Sequence, residues 1–198
     1  MTHKVLIANR GEIALRAIRA CKELDIQTVA IYSSGDKNLK HLKFADETVC
    51  IGPENPIESY LNVPSILSAA ELTNVDAIYP GYGFLAEDFG FAEKCEESGF
   101  KFIGPNSETI KLMGDKITAK NIAEKAGIKI VPGYKDDLPD DQDEILKIAY
   151  EIGYPLMIKA TAGGGGRGMR LINSSDELLN GIEITCLLYT SPSPRDRG

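Results

Sequence analysis

The residues most suggestive of chemistry form a glycine-rich run near the carboxyl end of the 198-residue sequence. Five of the six residues from Gly163 to Gly168 are glycine. Because glycine adopts positive φ angles at little cost, consecutive N–H groups in such a run can converge on an anion, and a phosphate group is its natural guest. A solvent-exposed flexible turn is the alternative, and glycine content alone does not decide between the two.

Two well-known phosphate-binding loops do not fit this run. A Walker A loop needs lysine and then serine or threonine after its last glycine, whereas Met169 and Arg170 stand there. The dinucleotide fingerprint must open a helix, but the residues from Met169 to Ile172 have the apolar character of a strand. The remaining interpretation is a hairpin between two strands that folds over a nucleotide, comparable to the glycine-rich flap of kinases.

A lysine on the preceding strand favours phosphate binding. Lys159 lies four residues before the loop, in an apolar segment, and a lysine there costs desolvation energy unless an anion pairs with it. Lys116, at the start of a predicted helix, is a second candidate cation. For Lys116, as for Arg167 and Arg170, the alternative is an ordinary solvated surface charge.

Two polar turns in the first half of the chain form a second candidate site. One runs from Asn9 to Glu12 after the first predicted strand, and the other runs from Pro80 to Glu87 after a later strand. Open α/β sheets bind ligands beyond the carboxyl ends of their strands. The two turns could therefore form one wall of a cleft, with Glu12 and Glu87 supplying carboxylates. Tight turns that cap helices are the alternative.

Apolar runs alternate with helical stripes in the segments that must position these turns. Periodicity predicts strands at 5–8, 28–32, 48–51, 76–79 and 101–104, and helices at 11–24, 57–73 and 88–98. In the second helix, five side chains are available for burial: Leu61, Ile66, Ala69, Ala70 and Leu72. Asp88 is expected to cap the third helix. Such alternation implies βαβ units and a mostly parallel sheet.

A second pattern begins near Ser107, where a helix is predicted to start. It continues with a helix at 117–126 that Gly127 ends, a short strand at 129–131, an acidic connector, and a helix at 143–152. Strands at 155–161 and 169–172 then flank the glycine loop. The helix beginning at Ser175 is cut short, because residues 186–198 are rich in serine and proline and lack a period. They are either a natural flexible terminus or a foreign tail that resembles a translated sequencing adaptor. We favour the second interpretation.

Charge and composition exclude several classes of protein. With 22 Lys+Arg against 29 Asp+Glu, the formal net charge is −7, which argues against a general nucleic-acid binder. No apolar run approaches the roughly 20 residues of a membrane span and no signal-peptide pattern opens the chain, so a cytoplasmic protein is expected. The four cysteines are far apart and are expected to be buried thiols, and two histidines do not suggest a metal site.

Seven strings of residues, in order along the chain, carry a family resemblance. They are VLIANRGEIALR (5–16), ADETVCIGP (45–53), SYLN (59–62), PGYGFLAE (80–87), FIGP (102–105), LMGDK (112–116) and IKATAGGGGRGM (158–169). Together they resemble biotin carboxylase, the ATP-dependent component of acetyl-CoA, pyruvate, propionyl-CoA and related carboxylases.

The resemblance implies an α/β fold with two parts. A Rossmann-like pre-ATP-grasp domain with a parallel sheet would occupy residues 1–114. The opening of an ATP-grasp (α+β) module, including its glycine-rich lid, would occupy residues 115–185. Residues 186–198 would be a non-native tail.

The resemblance also implies a reaction and its components. ATP and bicarbonate, through carboxyphosphate, would carboxylate biotin on a biotin carboxyl carrier protein, with Mg²⁺ or Mn²⁺ as the metal. A carboxyltransferase would be the further partner, and the full-length parent would be a homodimer. By match to the family motif, Lys116 and Lys159 would hold the ATP phosphates and Met169 would lie near adenine. The glycines that would cover the phosphates are Gly163, Gly164, Gly165, Gly166 and Gly168.

Two departures limit what the resemblance implies. Tyr79 stands where relatives usually have histidine, which affects the subfamily assignment. The family's acidic metal ligands and its bicarbonate and biotin groups lie beyond residue 185, so no catalytic or metal-binding residue is assigned, and this chain is expected to be an inactive piece. Two alternatives stay open. One is a non-catalytic nucleotide-binding fragment. The other is a different ATP-grasp ligase, and the strings at 9–12 and 80–87 argue against this second alternative.

Overall fold

The computed structural model describes residues 2–131, 133–134, 138–159 and 169–190, without the side chains of Lys116 and of residues 186–190. The chain forms two compact units, Met1–Asp115 and Lys116–Gly198. Each unit contains its own β-sheet. The glycine loop from Gly163 to Gly168 lies outside the described residues.

A five-stranded parallel sheet organises the first unit. Its strands are β1 (Lys4–Ile7), β2 (Gln27–Tyr32), β3 (Glu47–Cys50), β4 (Ala77–Tyr79) and β5 (Lys101–Phe102). They lie in the order β3-β2-β1-β4-β5, and each neighbouring pair is parallel. The chain builds outward from β1 to β3 and then returns to β4 on the other side of β1. This confirms the α/β fold with a parallel sheet.

Helices cover both faces of this sheet. They are α1 (Gly11–Glu23), α2 (Val63–Leu72), α3 (Phe89–Glu97) and α4 (Ser107–Gly114), with short 3-10 helices at Ser34–Asp36, Lys40–Phe44 and Pro56–Glu58. Along β1, Leu6 packs into one hydrophobic cluster, with α2 and α3. Its neighbours Val5 and Ile7 pack into the other cluster, with α1. Alternate residues of a strand point to opposite faces, so the sheet is buried on both sides, as in other all-parallel sheets.

The predicted helix at 57–73 is wrong in its first six residues. Helix α2 begins only at Val63, because the side chain of Asn62 accepts a hydrogen bond from the N–H of Ser65 at 3.1 Å and caps the helix there. The preceding residues form a 3-10 turn that Asn55 caps in the same way. Ile66, Ala69 and Ala70 are buried as expected, but Leu61 and Leu72 are 39% and 80% exposed.

The second unit has three helices and a two-stranded antiparallel sheet among its described residues. These are α5 (Lys116–Lys125), α6 (Gln142–Ile152), β6 (Leu156–Lys159), β7 (Met169–Ile172) and α7 (Ser175–Thr190). Its hydrophobic cluster is built from residues of α6, β6, β7 and α7. The parallel-sheet domain is thus followed by a second unit of helices and strands, in the order that the resemblance implies.

Two expectations for the second unit are wrong. No strand forms at 129–131, because no strand in the described part of the chain pairs with it and Val131 is 79% exposed. The last helix continues five residues beyond the expected break, to Thr190. Residues 175–190 contain no proline, and Pro192 is the first residue after them that is incompatible with a helix interior.

The cysteines are free thiols where the structure describes them, but they differ in exposure. Cys95 is buried, Cys21 is half-buried and Cys50 is exposed. Burial raises the pKa of Cys95 to about 12. The expectation of buried thiols is wrong for Cys50, because the adjacent Val49 takes the inward position of edge strand β3 and leaves Cys50 facing outward. Every helix that can be described is too short or too polar to cross a bilayer.

Candidate functional site

The candidate site of the first unit lies at the carboxyl ends of β1, β2 and β4. Asn9 and Arg10 follow β1, Asp36 lies in the turn after β2, and the loop from Pro80 to Glu87 follows β4. The chain leaves β1 on one side and later enters β4 on the other, so β1 and β4 flank a topological switch point. Open α/β sheets bind their ligands at such a point.

Asn9 ties the two sides of the switch point together. Its side chain is 1% exposed, and its Nδ2 donates hydrogen bonds to the carbonyl oxygens of Pro80 at 2.8 Å and Tyr82 at 2.9 Å. Its Oδ1 accepts a hydrogen bond from the N–H of Arg10 at 2.9 Å. The buried amide is therefore used on both its nitrogen and its oxygen, and it fixes the loop after β4 to the end of β1.

The loop from Pro80 to Glu87 has an unusual backbone. Gly81 and Gly83 have φ angles of +68° and +72°, and Phe84 has a φ of +40°. A Cβ atom on Gly81 would lie 2.6 Å from Cγ2 of Ile13, so a side chain does not fit at this position. Phe84 is not glycine, and a bulky residue in the left-handed region must be held there by its surroundings.

Phe84 belongs to a group of four side chains that we call the Arg10 cluster: Arg10, Asp36, Tyr60 and Phe84. Nη1 of Arg10 lies 2.9 Å from Oδ2 of Asp36, which also accepts a hydrogen bond from the Tyr60 hydroxyl at 2.8 Å. The rings of Tyr60 and Phe84 stack with centroids 5.0 Å apart. The Arg10 guanidinium lies 5.4 Å and 5.7 Å from the centroids of these two rings.

The charges of the Arg10 cluster stabilise each other. Burial alone would raise the pKa of Asp36, but the hydrogen bonds from Arg10 and Tyr60 hold it below its usual value. Burial and the neighbouring Asp36 carboxylate both raise the pKa of the Tyr60 hydroxyl. At neutral pH the cluster therefore consists of a guanidinium, a carboxylate and a neutral phenol.

The two turns singled out in the sequence do meet. Besides the bonds from Asn9, the Tyr82 hydroxyl donates a hydrogen bond to Oε1 of Glu12, which raises the pKa of that hydroxyl. Glu87 is exposed. Asp88 caps α3, with its Oδ1 2.7 Å from the N–H of Phe91. The two turns are thus joined by hydrogen bonds, and the residue after the second turn caps a helix.

The candidate nucleotide face of the second unit is the outer side of the β6–β7 sheet. Lys159 and Met169 are directly opposite each other in the antiparallel register, and Met157 is opposite Leu171. Leu156, Ile158 and Ile172 pack on the inner side against the helices. The outer side chains are exposed: 47% for Met157, 49% for Met169 and 52% for Leu171. Lys159 is exposed too, so its ammonium group keeps its water, and the desolvation argument made from the sequence does not apply to it.

The other predicted nucleotide residues are described only in part. Lys116 is the first residue of α5, but its side chain is not described. Gly163, Gly164, Gly165, Gly166 and Gly168 lie outside the described residues. The strands on either side of residues 160–168 pair as an antiparallel ladder, which is the arrangement expected of a hairpin.

Sequence reasoning missed Asp36, Tyr60 and His41. Asp36 lies in a polar turn after β2, and the criterion that selected Asn9 and Glu12 would have selected it as well. Tyr60 carries no such signal, because its ring is fully buried and only its hydroxyl reaches the site. His41 lies in a 3-10 helix and is 1% exposed, with no hydrogen-bond partner for either ring nitrogen among the described residues.

Comparisons with known families agree with this architecture. Residues 1–110 match the biotin carboxylase N-terminal domain. Residues 115–191 match the ATP-binding domain of the carbamoyl-phosphate synthase L chain. An α/β domain with a parallel sheet, followed by part of an ATP-grasp module, places the chain in the ATP-grasp class of proteins. The chain belongs to the biotin carboxylase family.

Individual relatives support the assignment. The chain is 56% identical over 185 residues to biotin carboxylase of Pseudomonas aeruginosa, covering 93% of this chain and 41% of that protein. The biotin carboxylase domain of Hydrogenobacter thermophilus 2-oxoglutarate carboxylase, solved as a dimer with MgADP, ADP and bicarbonate, has 50% identity and a TM-score of 0.86, covering 95% of this chain and 41% of its own. A Campylobacter jejuni biotin carboxylase bound to a βγ-ATP ligand has 46% identity and a TM-score of 0.87, with 93% and 41% covered. The chain thus spans well under half the length of these relatives.

Proposed function

We propose that this chain supplies the amino-terminal part of an ATP-dependent biotin carboxylase. In the full-length protein, ATP and bicarbonate would carboxylate biotin on a carrier protein, and a carboxyltransferase would receive the product. Residues 1–114 would be the pre-ATP-grasp domain and residues 115–185 the opening of the ATP-grasp module. Residues 186–198 would not belong to either. The protein would act as a dimer, by analogy with the relative solved in that form.

The observation that carries this proposal is the pairing of Lys159 with Met169. The two residues are cross-strand neighbours on the exposed side of a small sheet, and the glycine loop connects their strands. One supplies a cation and the other an apolar surface, which are the two properties needed to bind a nucleotide through its phosphates and its base.

The residues of this chain would have separate roles toward ATP. The Lys159 ammonium group would donate hydrogen bonds to phosphate oxygens and offset their negative charge. Met169 would contact the adenine with its flexible thioether side chain. On the family resemblance, Lys116 would add a second cation, and the glycines from Gly163 to Gly168 would cover the phosphates.

A magnesium or manganese ion accompanies the nucleotide in this proposal. The described residues contain no group of three or more histidine, cysteine, aspartate or glutamate side chains that could hold a metal ion. We assign no metal ligand.

Titration calorimetry with Mg·ATP tests the nucleotide face on the 198-residue chain. We expect Lys159→Met to weaken binding by about ten-fold or more, because a charge-assisted hydrogen bond to phosphate is lost. The matched control is Lys147→Met, which removes an exposed lysine from α6 and should leave binding unchanged. Equal affinities of both variants and the parent would contradict the role of Lys159.

The complete reaction requires a chain extended to the length of its relatives. That protein should hydrolyse ATP only when both bicarbonate and biotin are present. ATP hydrolysis at the same rate with and without biotin would instead indicate another ATP-grasp ligase.

The second candidate function is that of a non-catalytic fragment. The chain covers only 41% of the length of its relative from Pseudomonas aeruginosa, and this favours the fragment interpretation for the 198 residues in isolation. If calorimetry detects no Mg·ATP binding at millimolar nucleotide, the 198 residues alone are that fragment. The extended chain then still tests the family reaction independently.

A further inference from the structure

We propose that Arg10 is a positioning residue for the loop from Pro80 to Glu87. Through Asp36, Tyr60 and Phe84 it holds this loop in a left-handed conformation that presents Tyr82 at the switch point between β1 and β4. The proposal concerns the shape of the loop, and only its consequence for catalysis rests on the function proposed above.

The need for such a residue comes from the backbone of Phe84. A phenylalanine at φ +40° is strained, unlike the glycines at positions 81 and 83, whose positive φ angles cost little. The ring of Phe84 lies nearly parallel to that of Tyr60, at 12° and 5.0 Å. Since Tyr60 is fully buried, it offers a rigid surface on which the strained residue can be held.

Arg10 connects this aromatic pair to the end of β2. Its guanidinium lies within cation–π distance of both rings, while its Nη1 bonds Oδ2 of Asp36 at 2.9 Å. The Tyr60 hydroxyl donates to the same carboxylate oxygen and accepts a hydrogen bond from the N–H of Ser33 at 3.1 Å. Each member of the Arg10 cluster is therefore fixed by at least one other member.

Asn9 and Arg10 hold different parts of the loop, and Glu12 accepts a hydrogen bond from the Tyr82 hydroxyl. Asn9 holds the carbonyl groups of Pro80 and Tyr82, and Arg10 acts on Phe84. The ring of Tyr82 lies between these two anchors and remains 63% exposed. Because both anchors are consecutive residues at the end of β1, the loop keeps its position relative to the central strand of the sheet.

The geometry needs arginine rather than any cation. A planar guanidinium can lie near two aromatic rings and direct an N–H at a carboxylate at the same time. A lysine ammonium group is a compact charge that can pair with Asp36 but does not stack on the rings. Arg10→Lys should therefore keep the ion pair and lose part of the hold on Phe84.

Limited proteolysis of the full 198-residue chain tests the proposal. Chymotrypsin cleaves after tyrosine and phenylalanine, so Tyr82 and Phe84 report directly on the opening of this loop. We expect Arg10→Met to accelerate cleavage at these two residues by about ten-fold or more, with Arg10→Lys between that variant and the parent. Arg16→Met, at an exposed position of α1, is the matched control and should cleave as the parent does.

Two readouts separate positioning from a general loss of stability. The urea midpoint of each variant shows whether faster cleavage merely follows global unfolding. The ¹³C resonance of labelled Tyr82, assigned with Tyr82→Phe, should shift in Arg10→Met and partly return in Arg10→Lys. Cleavage that rises at many sites in step with a lower urea midpoint, or an unchanged Tyr82 resonance, would overturn the proposal.

The chain extended to the length of its relatives allows the effect of Arg10 on catalysis to be measured. There, Arg10→Met should lower turnover while leaving the affinity for Mg·ATP unchanged, since Lys159 and Met169 belong to the second unit. If the extended parent shows no biotin-dependent hydrolysis, the proposed function fails, and the proteolysis and resonance measurements still decide the role of Arg10. Wild-type turnover in an active Arg10→Met protein would rule out a positioning role in catalysis.

Discussion

His41 places a titratable ring inside the first unit without a hydrogen-bond partner among the described residues. It is 1% exposed, and both ring nitrogens are unpartnered. Burial lowers the pKa of His41 below its ordinary value of 6.5, while the negative charge of Asp36 opposes this shift. The ring is therefore neutral at pH 7. Protonating it would bury a positive charge close to the Arg10 cluster.

This burial has a consequence for stability at mildly acidic pH. Below pH 6.5 the unfolded chain binds a proton at His41 that the folded chain resists, so the free energy of unfolding falls as pH falls. His41→Leu should flatten this dependence between pH 7 and pH 5 by up to about 1.4 kcal/mol per pH unit. Urea unfolding across this range measures the change. The control is His3→Leu, whose side chain is exposed; an unchanged slope in His41→Leu would contradict the prediction.

Helix α2 shows how capping decides which residues of an element are buried. Periodicity alone extended this helix back to residue 57, but Asn62 starts it at Val63 and directs the preceding residues into a separate turn. The buried stripe of the helix is consequently narrow, consisting of Ile66, Ala69 and Ala70. Leu61 fitted the longer pattern but lies before the cap, and it is 39% exposed.

Two alanine substitutions in α2 test this arrangement. Ile66 is fully buried, so Ile66→Ala should lower the free energy of unfolding by about 2–5 kcal/mol through lost burial and a cavity. Leu72 is 80% exposed, and Leu72→Ala should change the free energy of unfolding by less than about 0.5 kcal/mol. Urea denaturation of the two variants makes the comparison. Similar losses at both positions would show that Leu72 is buried, as the periodic pattern predicts, and would contradict its exposed position.

On the scale of the whole molecule, each unit contains its own hydrophobic core. The two clusters beside the parallel sheet use only residues before 111. The cluster of the second unit uses only residues after 144. The family matches fall on the same two parts of the chain.

A chain ending at residue 115 should therefore fold without the rest. We expect residues 1–115 to unfold cooperatively in urea, with the same midpoint as the corresponding transition of the 198-residue chain, since no buried side chain of their cores is removed. Circular dichroism and hydrogen exchange measure this. A molten, ANS-binding product would show that the first core depends on later residues.

Much of this organisation could be predicted from sequence. The apolar run of β1, the stripe of α1 and the strand at Met169–Ile172 are local patterns with a fixed period, and the structure reproduces them within a residue or so. The failures have two different causes, one local and one long-range. An asparagine cap shortened α2, and the apolar run at 129–131 has no described neighbour to pair with.

The sequence by itself determined the family, the order of the elements and the kinds of groups available to a nucleotide, because motifs and periodicity are properties of neighbouring residues. Only the tertiary structure decided which of these groups meet. Arg10 and Asp36 lie 26 positions apart, and Asp36 and Tyr60 lie 24 apart. Arg10 and Asp36 come together because β1 and β2 are neighbours in the sheet, and Phe84 joins them because β4 lies on the other side of β1. Strand order depends on long-range packing, which local periodicity does not encode.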